Sequence, residues 1–289
     1  MATSLPETVR AHCARVAATA RQVTIDPDAS SATAGVVGFD PERHLVDGPP
    51  ERVARYILVI DTINFGSGWF PTLRHGETEA MTDRLAAFAR DRDAGPWWGG
   101  ELRSLAAADV AAVLDEDPGH ELMGLYAEAL RQLGAWAGDR DALDLVALAG
   151  GSAARFASLL ATNLVFFADA GFYKRAQIAA NDLVLAGAVA FGDVDDLTVF
   201  ADNFLPHVLR LDGVLVYDDA LAARIDAGEA LTPGEPAEQE LRACAVHACE
   251  QLAARAGVPP RTLDNWLWNR ALTGGYAERP AHLCRTVFY

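Results

Sequence analysis

Residues 232–256 have the sequence TPGEPAEQELRACAVHACEQLAARA, and this stretch decides the fold class. It opens with the turn residues Thr232-Pro233-Gly234-Glu235. From 235 to 256 the apolar residues then recur at the spacing of one face of an α-helix. A turn rich in proline and glycine, followed by a long amphipathic stretch, marks the start of a helix. We therefore expect one long helix over 235–256.

The same spacing recurs along most of the chain, in stretches rich in alanine and leucine. The other predicted helical segments are 5–24, 77–93, 105–116, 120–136, 140–149, 152–167, 172–189, 195–210, 217–227 and 259–271. Asp141 is predicted to open one of these segments and Ser152 another, because both residue types cap helix N-termini. The sequence therefore predicts a mainly α protein.

Two regions do not follow this pattern. Segment 55–71, RYILVIDTINFGSGWFP, fits either a short buried strand or a buried helix that leads into a glycine-rich loop. Residues 24–50 are expected to be irregular and to wrap the surface. A chain of 289 residues that is about half apolar lies near the upper limit for one domain. We therefore expect a single domain over 1–289, with a two-lobed form as the alternative.

The charge and the cysteines exclude several classes of function. A net charge of −16 disfavours binding to duplex nucleic acid, because such binding depends on basic groups that neutralise phosphates. No run of about 18 apolar residues and no basic-then-apolar start is present, so we expect no membrane span, no signal peptide and a cytoplasmic location. The four cysteines match neither a zinc motif nor a disulfide framework. We expect a monomer without metal or cofactor.

The chain contains 23 arginines and a single lysine, Lys174. Arginine stays charged and presents a planar fork, whereas lysine is a compact ammonium whose pKa falls readily on burial. A strong preference for arginine leaves a lysine where arginine cannot replace it. Lys174 is therefore a candidate nucleophile, acid or close-range cation. The alternative is a lysine that survived by chance on a solvated helix.

Segment 197–207, LTVFADNFLPH, places Asp202 among apolar residues. A carboxylate in such surroundings must be paired, hydrogen-bonded or shifted in pKa. Together with Lys174 it could stabilise positive charge that grows on carbon. A helix cap or a buried ion pair is an equally good explanation of Asp202. His207 follows a proline and is more typical of a structural histidine than of a base.

Segment 61–71 combines an amide, glycines and aromatic rings in one short loop. Glycines let the backbone approach a ligand, and aromatic faces can stack on a planar ring. Asn64, Phe65 and Trp69 are therefore candidates for one wall of a pocket. The alternative is that the aromatic residues belong to the core beside a turn.

Segment 261–270, RTLDNWLWNR, is predicted to be helical. In a helix, Asp264 and Trp268 lie on one face because they are four residues apart. A carboxylate and a stacking surface could then meet the same ligand. The alternative is a core tryptophan, with the aspartate near the start of the helix.

Taken in order, these segments resemble the queuosine salvage protein family. The matching segments are DTINF at 61–65, FYKRAQ at 172–177, LTVFADNFLP at 197–206, GVLVY at 213–217, ELRAC at 240–244, LDNWLW at 263–268 and RTVFY at 285–289. The resemblance runs from about residue 50 to the end of the chain. It departs from the family at 202–204, where an aromatic and a basic residue more often follow the aspartate.

The resemblance implies a fold similar to the helix-hairpin-helix DNA glycosylases, and hydrolysis of queuosine 5′-monophosphate to queuine and ribose 5-phosphate. It also implies that Lys174 and Asp202 are catalytic. Substrate-binding residues are then expected at Asn64, Phe65, Trp69, His207, Asp264 and Trp268. Two other functions remain as alternatives: a binding protein that holds a modified nucleotide without cleaving it, and a DNA-repair glycosylase, which the acidic charge disfavours.

Overall fold

A computed structural model describes residues 3–31, 34, 35 and 37–289. The protein is mainly α-helical, as predicted. The helices are α1 (Leu5–Thr19), α2 (Pro50–Ile63), α3 (Thr78–Arg90), α4 (Gly100–Ser104), α5 (Ala107–Leu114), α6 (Glu121–Ala137), α7 (Ala142–Ala147), α8 (Ala153–Asn163), α9 (Lys174–Leu185), α10 (Phe204–Leu211), α11 (Asp219–Asp226), α12 (Pro236–Ala256), α13 (Pro260–Ala271) and α14 (Gly274–Ala277). The strands are β1 (Val23–Ile25), β2 (Leu215–Tyr217), β3 (Ala230–Leu231) and β4 (Leu283–Cys284).

The chain divides into two compact units. The first unit comprises Met1–Val37, Ala170–Lys174 and Asp195–Thr286; the second comprises Gly38–Asp169, Arg175–Val194 and Val287–Tyr289. A single domain over 1–289 stays a prediction. Of the helices in the described residues, none is both long enough and apolar enough to cross a membrane.

Helix α12 forms the centre of the first unit and confirms the prediction for 235–256. Glu235 is its N-cap residue, and Gly257, with φ of 67°, ends it in the left-handed conformation. Most of its side chains are buried, because α1, α10 and α13 pack against it. Strands β1 and β2 pair antiparallel beside it, with Thr24 opposite Val216.

Helices α2 and α6 form the centre of the second unit. The ambiguous segment 55–71 starts as a buried helix, since α2 continues to Ile63 and almost every side chain from Val53 onward is buried. Gly66 follows with φ of 105°, a conformation that favours glycine, and Ser67–Thr72 forms a 3-10 turn. Helix α6 packs against α2, α4 and α5. The end of α2 is thereby fixed against a rigid neighbour.

The expected helix over 195–210 is wrong for its first half. Residues 197–203 are irregular, and α10 begins only at Phe204. The physical reason is local: Asp202 accepts hydrogen bonds from the backbone N–H groups of Phe204 and Leu205, so it starts a helix instead of lying within one.

The predicted helix over 5–24 is also too long, because α1 ends at Thr19 and the chain then enters β1. Between Ile25 and Pro50 the described residues form neither helix nor strand. Three residues of the region expected to be irregular, Ala32, Thr33 and Val36, lie outside the described residues.

The two predicted helix starts are both found, with different chemistry. Ser152 caps α8 with its own side chain. Asp141 is the N-cap residue of α7, but its side chain makes no capping hydrogen bond there. Glu51 of α2 supplies the acceptor instead and receives the N–H groups of Ala142 and Leu143 at 2.8 and 2.9 Å. A side chain distant in sequence therefore starts α7.

Candidate active site

The only lysine of the chain is buried at the first position of α9. Lys174 is 5% exposed, so the solvated-helix alternative is excluded. The residues before it form a tight turn, in which Gly171 has φ of 93° and Tyr173 has φ of 50°. A residue other than glycine rarely adopts a left-handed φ, and such conformations are concentrated at functional sites. The lysine is therefore presented by a turn whose backbone is itself constrained.

Asp202 is buried in the irregular segment before α10, with 8% exposure. Its Oδ1 accepts the N–H groups of Phe204 at 2.8 Å and Leu205 at 3.0 Å. The other carboxylate oxygen makes no hydrogen bond or ion pair with the described residues. The helix-cap interpretation is thus confirmed for one oxygen, while the second remains available to a ligand. Lys174 and Asp202 both belong to the first unit.

Asp264 holds the same irregular segment from α13. Its Oδ1 accepts the backbone N–H of Phe200 at 2.7 Å, and the residue is 8% exposed. Phe200 lies two residues before Asp202, so this hydrogen bond restrains the backbone segment that leads to the candidate catalytic carboxylate. Trp268 lies one turn further along α13 and is half-buried.

His207 lies on α10 and is 4% exposed. Its Nε2 is 2.8 Å from the backbone oxygen of Tyr276, and since a carbonyl only accepts, this nitrogen carries the proton. Burial lowers the pKa of His207 below its usual range, so the ring is neutral at pH 7. The geometry is that of a satisfied structural histidine, and its expected contact with substrate stays a prediction.

Asn64 and Phe65 follow the end of α2 in the second unit. The Phe65 ring is 2% exposed and packs edge-on against Tyr126, with the ring centroids 4.9 Å apart. The Phe65 ring is therefore packed inside the protein, and its stacking on a ligand stays a prediction. Asn64 is half-buried, and its side-chain amide makes no hydrogen bond to the described residues. Of the two, Asn64 offers the polar atoms that a ligand can use.

Trp69 lies in the 3-10 turn after this loop and is 6% exposed. Its indole Nε1–H donates to Glu121 Oε2 at 2.9 Å, at the first residue of α6. This hydrogen bond fixes the orientation of the ring, as buried tryptophans usually require. Its contact with substrate stays a prediction.

Arg175, which the sequence analysis did not single out, fixes the loop that carries Asn64. The guanidinium is 1% exposed and donates to the backbone oxygens of Thr62 at 2.7 Å, Val287 at 2.9 Å and Phe166. It also lies over the Phe65 ring, 4.5 Å from the centroid. Burial lowers the pKa of Arg175 to about 9, which leaves it charged at pH 7. One cation therefore joins three separate segments of the second unit.

The last residues of the chain complete this arrangement. The backbone N–H of Gly66 donates to the Tyr289 oxygen at 3.0 Å, and Tyr289 is 3% exposed. Together with the Arg175 to Val287 hydrogen bond, this contact places residues 287–289 beside the end of α2. Parts of three motifs that are distant in sequence thus meet in the second unit, through backbone oxygens that only the folded chain brings together.

Replacing Arg175 with methionine is expected to lower the free energy of unfolding by at least about 3 kcal/mol, because buried carbonyl groups lose their donor. Urea denaturation followed by circular dichroism measures this loss. Arg74→Met is the matched control in the same unit, since the Arg74 side chain is 58% exposed and its ion pair with Asp115 is long, at 3.4 Å. If the two variants lose equal stability, the hydrogen bonds of Arg175 do not stabilise the second unit as expected.

The described residues contain no group of three or more His, Cys, Asp or Glu side chains that could hold a metal ion. All four cysteines are buried and unbonded to one another. Burial raises the pKa of the Cys244 thiol to about 12, so it is protonated at pH 7.

Residues 44–289 match the model of the family described as queuosine salvage protein. The chain belongs to the queuosine salvage protein family.

Several relatives carry the same name, queuosine 5′-phosphate N-glycosylase/hydrolase. The one from Sphaerobacter thermophilus is 31% identical, and the alignment covers 95% of each chain. The one from Dictyostelium discoideum is 25% identical over 83% of this chain and 79% of its own. The one from Mus musculus is 34% identical over 51% of each. The similarity thus extends from bacteria to animals and, for the first relative, over nearly the whole chain.

Proposed function

We propose that the protein hydrolyses the C1′–N glycosidic bond of queuosine 5′-monophosphate and releases queuine and ribose 5-phosphate. The observation that carries the proposal is the buried Asp202, whose second oxygen is uncommitted, in the same unit as the buried Lys174. The names of the relatives supply the substrate. Incubation with the nucleotide and detection of queuine by mass spectrometry tests it. A non-catalytic binding protein would return the nucleotide intact.

Cleavage of the glycosidic bond places positive charge on the ribose, as in other glycoside hydrolyses. The uncommitted oxygen of Asp202 can stabilise that charge and orient the attacking water. The two backbone N–H groups on Oδ1 hold the carboxylate in place before the substrate binds. A preorganised charge in a site that excludes water is commonly the largest single contribution to catalysis. Asp202 is therefore assigned the main catalytic role.

The leaving group makes this electrostatic assistance more important. Queuine is a 7-deazaguanine, so the ring nitrogen whose protonation helps ordinary purines to leave is absent. In the balanced reaction the oxygen of water bonds to C1′, the C1′–N bond breaks with its electron pair moving to the base, and the base gains the proton that water loses. Lys174 and Asp202 are the candidates that move this proton.

The position of Lys174 favours a contact with the 5′-phosphate. It is the first residue of α9, and a helix N-terminus offers backbone N–H groups and a positive dipole to an anion. A lysine ammonium is a common phosphate ligand as a point charge. Proton donation to the leaving base is the second role that the residue can take. A Schiff base at C1′ is the third, and the geometry gives it no particular support.

Trp268 of the first unit, which is half-buried, is proposed to stack on the base. Asn64 of the second unit is a proposed substrate contact, because its side-chain amide makes no hydrogen bond to the described residues. Phe65, Trp69 and His207 are further proposed substrate contacts, and each also has a partner in the protein. Asp264 is proposed to interact with the side arm of queuine, a secondary amine with a cyclopentene diol that is cationic near pH 7. A carboxylate is the natural partner of that cation.

Replacing Asp264 with asparagine separates this role from the backbone contact described above. Asparagine keeps an oxygen that can accept the Phe200 N–H and loses the charge. The affinity for queuosine 5′-monophosphate is expected to fall by about 10- to 100-fold, the range for a hydrogen bond to a charged group. Isothermal titration in an Asp202→Asn background, in which the nucleotide stays intact, measures it.

The control for this experiment is 7-deazaguanosine 5′-monophosphate, which lacks the side arm. Its affinity is expected to change little on replacement of Asp264. Equal losses for both nucleotides would rule out the side-arm assignment and leave Asp264 with its structural role alone.

Three further features complete the proposal. The helices are proposed to follow the arrangement of the helix-hairpin-helix DNA glycosylases, turned to a free nucleotide. The net charge of −16 supports a small substrate over duplex nucleic acid. The protein is proposed to act as a monomer in the cytoplasm, without a membrane or nucleic-acid partner.

A further inference from the structure

A second buried arginine, Arg242 of α12, contacts the two segments that carry the candidate catalytic residues. Its side chain is 2% exposed. Nε donates to the backbone oxygen of Ala201 at 3.0 Å, and Ala201 directly precedes Asp202. The guanidinium also lies over the Phe172 ring, 3.9 Å from the centroid, and Phe172 lies two residues before Lys174. All of these residues belong to the first unit.

Arg242 is itself held by an acidic partner on the same helix. Glu238 lies one turn earlier on α12, and its Oε1 is 3.1 Å from Nη1 of the arginine. The Glu238 side chain is 3% exposed. Its other oxygen accepts the backbone N–H of Gly234, at the turn before α12. The guanidinium therefore cannot rotate without breaking a buried ion pair.

We propose that Arg242 is a positioning residue that sets the geometry of Lys174 relative to Asp202. The Nε–H group at the edge of the guanidinium holds the backbone at Ala201, before the aspartate. The planar face of the guanidinium packs on the Phe172 ring, before the lysine. This inference rests on the proposed function, because it concerns the reaction of those two residues. Arg242 contacts residues that precede them in sequence, and its effect is on their separation and orientation.

Lysine cannot replace arginine in this position. A guanidinium donates in its plane and stacks through its face at the same time, whereas an ammonium has neither a fork nor a planar face. Lysine does keep the positive charge that Glu238 requires. The substitution Arg242→Lys therefore removes the geometry and leaves the charge in the core, which makes it the informative variant.

We expect Arg242→Lys to lower kcat for queuosine 5′-monophosphate by about 100-fold, the effect of misplacing reacting groups by roughly 1 Å. KM is expected to stay within about threefold, because the substitution alters the placement of the reacting groups and leaves the proposed substrate-binding side chains in the protein. Thermal unfolding, recorded for each variant, shows whether the protein is folded at the assay temperature. A folded Arg242→Lys variant with unchanged kcat would overturn the proposal.

Arg210→Lys is the matched control in the same unit. Arg210 also pairs with a carboxylate, Asp226, at 2.8 and 2.9 Å, and lies over an aromatic ring, that of Tyr217, at 4.9 Å. Among the described residues, Arg210 makes no hydrogen bond to Ala201 and no ring contact with Phe172. It is expected to lose stability and to keep the wild-type kcat. Equal falls in kcat for the two variants would mean that Arg242 acts only through stability.

Glu238→Gln keeps the proposal testable if Arg242→Lys does not fold. Glutamine retains the shape and one acceptor, so the arginine stays in place but is held less firmly. The expected result is a smaller fall in kcat, again with KM unchanged, and an unchanged kcat would contradict the proposal. Wild-type protein is assayed alongside. If the wild type releases no queuine, the proposed function fails. If the wild type is active and only the variants lose kcat, the result bears on the role of Arg242.

Discussion

Replacing Asp202 with asparagine is expected to lower kcat for queuine release by at least about 1000-fold, because the charge that stabilises the ribose cation is lost. Nucleotide binding is expected to persist, since asparagine has nearly the same shape. Its side-chain oxygen can still accept the Phe204 and Leu205 N–H groups that start α10. Single-turnover assays with mass-spectrometric detection of queuine measure the rate, and equilibrium dialysis measures binding.

Asp218→Asn is the control for the helix-capping part of this change. Asp218 is the N-cap residue of α11 in the same unit and accepts the Leu221 N–H at 2.7 Å. Asp202 likewise accepts backbone N–H groups at the start of α10. The two variants should therefore lose similar stability, while Asp218→Asn keeps its activity. Activity of Asp202→Asn within about tenfold of the wild type would remove the residue from the catalytic role, since even general acid–base contributions exceed that.

Replacing Lys174 with methionine is expected to lower kcat/KM for queuosine 5′-monophosphate by about 100- to 10,000-fold, the range for loss of an acid–base group or a buried cation. Methionine fills a similar volume without the charge, so the buried position tolerates it. The dephosphorylated nucleoside, queuosine, distinguishes the proposed roles. If Lys174 holds the phosphate, the variant and the wild type should differ little on queuosine.

Lys174→Arg is the matched control, because it keeps a cation in the same place. Arginine is bulkier and stays protonated, so it can bind phosphate but cannot readily donate a proton. Recovery of activity by arginine would therefore support phosphate binding, and continued inactivity would support proton transfer. Full activity of Lys174→Met on the nucleotide would exclude both roles and leave the survival of the single lysine unexplained.

The helices were predictable because their signal is local. The spacing of apolar residues over 235–256 predicts α12, and the turn before it fixes the start at Glu235. Segment 55–71 was ambiguous for the same reason: a continuous apolar run lacks the alternation that separates a helix from a strand. In the folded protein the start of this segment is a buried helix that packs against α6, and the sequence does not show that packing.

The contacts that organise the candidate site were not predictable, because they join residues distant in sequence. Arg175 and the Thr62 oxygen are 113 residues apart, and Arg242 and the Ala201 oxygen are 41 apart. A signal was nevertheless present. Both arginines lie within apolar helical stretches, where an unpaired cation would be costly, so each required partners that the sequence did not name. The family resemblance implies roles for Lys174 and Asp202 and gave no role to Arg175 or Arg242.

Incubation of the wild-type protein with queuosine 5′-monophosphate, run beside Asp202→Asn and Lys174→Met, is the direct test of the proposed hydrolysis. Queuine and ribose 5-phosphate are quantified by mass spectrometry, and binding of the intact nucleotide is measured on the same preparations. We expect equal amounts of the two products from the wild type, and bound but uncleaved nucleotide with Asp202→Asn. Nucleotide that the wild type binds and leaves intact would contradict the proposed hydrolysis and identify the protein as a nucleotide-binding protein.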